Sequence, residues 1–115
     1  MSNRLHAIDA STGEPIEIRY DRTIQGVDPL IGAPPTDLSL VAPGWIDLQV
    51  NGFAGADYCD PTCPLDDIAH SLDVQFATGV TRLLATIITN SEENLIGALR
   101  NLANAREALP NGEAI

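Results

Sequence analysis

The stretch Gly44–Gly52, GWIDLQVNG, sets Asp47, Gln49 and Asn51 at every second position. Two is the period of an extended strand, so the three polar side chains share one face and Ile46, Leu48 and Val50 the other. Gln49 and Asn51 then stand about 7 Å apart along the strand. Each carboxamide offers both a donor and an acceptor. Such a pair can orient a bound water, another ligand or a substrate amide. It is a poor zinc ligand beside imidazole, thiolate or carboxylate. The same spacing also describes the polar outer face of an edge strand, so these side chains either line a site or meet solvent.

Other reactive residue types carry less. Asp47 is conceivable as a catalytic carboxylate, but a hydrogen-bonded structural role is the expectation. Thr86 and Thr89 are expected to pack or cap rather than touch a ligand. His6 and His70 are the only histidines, and neither has a ligand-spaced partner. Cys59 and Cys63, in CDPTC, have three residues between them and no second pair to complete a metal site. They read as reduced thiols. The residues alone therefore assign no catalytic and no metal-binding position.

The totals narrow the partners. The chain has 115 residues and a net charge of −10, and its six basic residues are all arginines. No basic stripe is present to meet phosphates or an anionic bilayer, so neither nucleic acid nor membrane is an expected partner. No run approaches the roughly 18 apolar residues of a membrane span, and no secretory signal is visible. A cytoplasmic location is the default expectation.

The elements that must position Gln49 and Asn51 fall into two parts. Residues 1–41 hold short strand-like runs, LHAID, PIEIRY and TIQGV, separated by turn clusters, which predict an antiparallel three-stranded meander. IGAPPTD then suits an irregular crossing. In residues 42–115, Trp45 opens a strand and FAGADYCDPTCP reads as a loop. A helix is expected from about Pro64, with Leu65, Ile68, Ala69, Leu72 and Phe76 in one stripe and Gly79 as its C-terminal cap. The apolar run 80–89 predicts a strand buried on both faces. Asn90 with Glu93 predicts a capping box, followed by a helix carrying Leu95, Ile96, Leu99, Leu102, Ala103 and Arg106 along one side. Strand, helix, strand, helix argues for βα units and a parallel sheet, hence the α/β class. Two such units do not close a barrel. With GEAI where a third strand could begin, the expectation is the N-terminal fragment of a longer protein.

This order, with APGWID opening the first βα unit, resembles the amidohydrolase superfamily. Those enzymes set a small β-sandwich beside a metal-dependent (β/α)8 TIM-like barrel. The resemblance implies that residues 1–41 are strands of the composite sandwich and that 42–115 are the first two βα units of the barrel. Most members carry His-x-His where this chain has Gln49 and Asn51. That exchange, with Gly52 and the stretch Gly79, Thr81, Thr86, Ile88, Thr89 and Ser91, is similar to the N-acetylglucosamine-6-phosphate deacetylase branch. The branch implies hydrolysis of an amino-sugar phosphate to glucosamine 6-phosphate and acetate, with a divalent metal ion, zinc or iron, and a homodimer. It also implies that Gln49 and Asn51 face into the barrel as site-lining residues. The metal ligands and catalytic acid would lie beyond Ile115, so no cofactor and no activity are expected of this chain alone. Two other readings stay open: another amidohydrolase branch, such as a cyclic-amide hydrolase or a deaminase, and a non-catalytic α/β interaction module.

Overall fold

A computed structural model describes residues 2–115, and the chain divides into two compact units, Met1–Pro43 and Gly44–Ile115. In the first, β1 (Asn3–Asp9), β2 (Pro15–Tyr20) and β3 (Ile24–Pro29) form the antiparallel meander, with Leu5 opposite Ile18 and Ile18 opposite Val27. Asp9 closes the first turn by accepting the Ser11 N–H, and Asp21 closes the second by accepting that of Thr23. These are side-chain-to-backbone turns of the kind short acidic residues favour. One strand was not expected: β4 (Leu40–Val41) runs parallel to β1, giving the order β3-β2-β1-β4. The sheet's polar face carries Arg4 and His6 on Glu17, and Arg19 on Asp28.

The second unit pairs β5 (Trp45–Val50) with β8 (Val80–Ala85) in parallel. Between them come β6 (Gly52–Phe53), β7 (Ala56–Asp57) and α1 (Leu65–Ala77), and after them α2 (Glu92–Ala108) and a 3-10 turn at Gly112–Ala114. The class is mixed α/β, and the parallel strands form an open pair, not a closed barrel. The core joins Val50, Tyr58, Ile68, Leu72, Leu83, Leu102 and Ala105. Helix α1 buries Ile68 and Leu72 from the expected stripe. It ends where Gly79, at φ 92°, turns back and donates to Phe76 O.

Several expectations give way. The predicted loop after Asn51 contains the small β6–β7 hairpin, whose turn residues Ala54 and Gly55 both have positive φ. That is the twist a two-residue hairpin requires. The run 80–89 is strand only as far as Ala85, and it is buried on one face only, with Leu83 inside and Leu84 exposed. Ser91, not Asn90, caps α2 by accepting the Asn94 N–H, while Asn90 bonds the Ser91 N–H and the Asn94 side chain. The buried residues of α2 are Ala98, Leu102 and Ala105, while Ile96 and Leu99 face out. On a neighbouring flank the helix lies close against the loop before α1: a β-carbon on Gly97 would sit 2.6 Å from Pro61 Cβ. GEAI begins as the 3-10 turn, not as a strand.

Candidate functional site

Strict alternation does not survive in β5. The β5–β8 register shifts between Trp45 and Ile46 and again between Asp47 and Val50. Val50 is buried, but Ile46 is 57% and Leu48 73% exposed. An irregularity of this kind re-aims side chains relative to a flat strand. Asp47 and Asn51 are half-buried and Gln49 is exposed. All three nevertheless border one open cleft of about 300 Å³, together with Gln75 and Thr78 from the end of α1.

The two amides are held differently. Asn51 donates from Nδ2 to Thr86 O at 3.1 Å, and Thr86 N–H donates to Val50 O at 2.8 Å, so the ends of β5 and β8 are laced together there. Its Oδ1 has no protein partner among the described residues. Gln49 gives its backbone N–H to Asp47 Oδ1 at 3.1 Å, and among the described residues its carboxamide has no hydrogen-bond partner. Asp47 thus serves a local turn. The Thr86 hydroxyl donates to Leu84 O, a backbone role. His6 pairs with Glu17 in the first unit, and His70 lies exposed on α1.

Cys59 and Cys63 are free, buried thiols. Burial pushes the Cys63 thiol above its ordinary value, and the charges of Asp67 and Asp60 add to this. The loop between them is held by turns: Asp57 accepts the Cys59 N–H, and Asp60 accepts both N–H and hydroxyl of Thr62. Those bonds from Thr62 keep the Asp60 carboxyl below its usual range.

Among the described residues no group of three or more His, Cys, Asp or Glu could hold a metal ion. The cleft supplies one carboxylate, already engaged by a backbone N–H, and amides. This donor set does not fit a resident divalent ion. Among the described residues that line the cleft, Asp47 alone is charged, and a carboxylate repels a phosphate.

Sequence reasoning missed the polar residues behind the cleft. Tyr58 is 1% exposed, and its Oη lies 2.6 Å from Ser71 Oγ and 3.3 Å from Gln75 Nε2. Ser71 and Gln75 sit on the buried side of α1, where apolar periodicity gives no reason to look for polar residues. The available signal was their i, i+4 spacing, which sets them on one helix face.

No protein-family model matches the chain, and no curated protein matches it. Among solved structures, the chain is similar to N-acetylglucosamine-6-phosphate deacetylase from Pasteurella multocida. The TM-score is 0.54 at 24% identity, over 84% of this chain and 27% of that one. The likeness is one of fold. The chain spans about a quarter of the length of the deacetylase it resembles.

Proposed function

We propose that this chain supplies part of the active-site wall of a hydrolase that deacetylates N-acetylglucosamine 6-phosphate, giving glucosamine 6-phosphate and acetate. The observation that carries the reading is the Gln49-x-Asn51 pair at the end of the first strand of a βα arrangement. The fold likeness to a deacetylase supports it. In this reading Gln49, with its carboxamide unengaged, contacts the substrate amide or the attacking water, and Asn51 presents Oδ1 as an acceptor. The divalent ion that the resemblance implies, and the groups that hold the phosphate, are supplied by other parts of the whole enzyme. The 115 residues alone are therefore inactive.

The test is a substrate panel given to the protein expressed from the complete reading frame. Acetate released from N-acetylglucosamine 6-phosphate, and lost on chelation of divalent ions, is the expected result. Hydrolysis of a cyclic amide or an aminopurine instead, with no acetate from the sugar phosphate, would overturn the reading.

A further inference from the structure

The polar cluster behind the cleft has a fixed direction. Ser71 Oγ lies 3.0 Å from Ile68 O and 2.6 Å from Tyr58 Oη. A hydroxyl has one proton, and the Ile68 carbonyl can only accept. The Ser71 proton therefore goes to Ile68 O, and the Tyr58 O–H donates to Ser71 Oγ. Gln75 Nε2 donates to Tyr58 Oη at 3.3 Å and to Ser71 O at 3.2 Å. Gln75 is only 4% exposed, yet it borders the cleft beside Gln49 and Asn51.

The other end of Tyr58 reaches Asn51. The Tyr58 backbone N–H donates to Asn51 O at 2.9 Å, while the Asn51 side chain reaches Thr86 O. The peptide of Asn51 is thus pinned through one residue whose ring is locked into α1. We propose that Tyr58 is a positioning residue for Asn51: its phenol, fixed by Ser71 and Gln75, holds the 51–58 turn so that the Asn51 carboxamide bridges to Thr86, just past β8, with Oδ1 left to the cleft. Membership of Asn51 in a catalytic site rests on the functional reading above. The coupling of Tyr58 to Asn51 does not.

The experiment is NMR on the isotopically labelled 115-residue chain. It reads the shifts of the two Asn51 side-chain N–H protons and the exchange of the Tyr58 amide against those of the core residues Leu83 and Leu102. Tyr58→Phe keeps the ring and removes the hydroxyl. The expected result is that the Asn51 pair moves toward the positions of a free carboxamide and that the Tyr58 amide exchanges about tenfold faster relative to Leu83. An Asn51 pair that stays in place in folded Tyr58→Phe would overturn the proposal. Should that variant not fold, Ser71→Ala decides, since it removes the acceptor of the phenol proton from the far side. It is expected to shift the same pair by a smaller amount, and an unmoved pair counts against the coupling. No hydrolysis is measured, so the outcome is independent of whether the deacetylase reading stands.

Discussion

At the scale of single residues, the chemistry of the chain is dominated by short acidic and amide side chains closing turns. Asp60 is the clearest case. Its carboxylate accepts the Thr62 N–H and hydroxyl, which lowers its pKa from the ordinary 3.8. A carboxyl with a depressed folded pKa contributes stability that is present above its unfolded pKa and lost as pH falls through the folded one. Asp60→Ala should therefore lower Tm at pH 7, and the gap from the parent should narrow below pH 3.8; thermal melts across pH would show a constant gap if the turn did not matter. The two thiols give a second expectation. With Cys59 and Cys63 buried and burial raising the Cys63 pKa, a disulfide-exchange reagent should titrate neither until denaturant is added. Fast native-state reaction of both would contradict the packing. CDPTC placed both cysteines in the loop before α1, but their burial was not legible. Nor was the Tyr58–Ser71–Gln75 cluster, because a buried polar network depends on which residues a helix meets in space.

At the scale of elements, periodicity located the helices well and their buried faces less well. In α1 the large residues Ile68 and Leu72 define the inner face, and the stripe was readable. In α2 the inner face is Ala98, Leu102 and Ala105, with Ile96 and Leu99 left out, which a count of apolar residues cannot reveal, and Gly97 makes a close approach to Pro61. Gly97→Ala tests that approach. Helix propensity alone favours alanine by about 1 kcal/mol. The rigid Pro61 ring in the way should outweigh this, for a net loss of stability of about 1–2 kcal/mol. Denaturant melts showing a gain would mean that the contact yields. The β6–β7 hairpin makes the opposite case, since Ala54 holds a φ of 51° that alanine adopts at some cost. Ala54→Gly should gain roughly 0.5–1 kcal/mol, measured by the same melts. The register shifts in β5 are the remaining gap: alternation named the residues at the cleft, but nothing in the local sequence specifies a shift set by pairing with β8.

At the scale of the whole molecule, the second unit has one helix-covered face and one bare one, carrying Ile46, Leu48 and Leu84. In the proposed enzyme that face is packed against further structure. Leu48→Lys should then change Tm little in the 115-residue chain, where the side chain already meets solvent, and destabilise the complete protein by about 2–3 kcal/mol. Equal small effects in both would argue for a self-contained α/β module. In the proposed enzyme, Gln49 and Asn51 line the site where an acetylated amino-sugar phosphate is hydrolysed. The most direct test is kcat/KM for N-acetylglucosamine 6-phosphate in the complete protein and its Gln49→Ala variant. The side chain of Gln49 is exposed and unengaged, so the variant should fold as well as the parent. The expected result is a loss of roughly ten- to hundredfold in kcat/KM with Tm unchanged. A Gln49→Ala enzyme as active as its parent would contradict it.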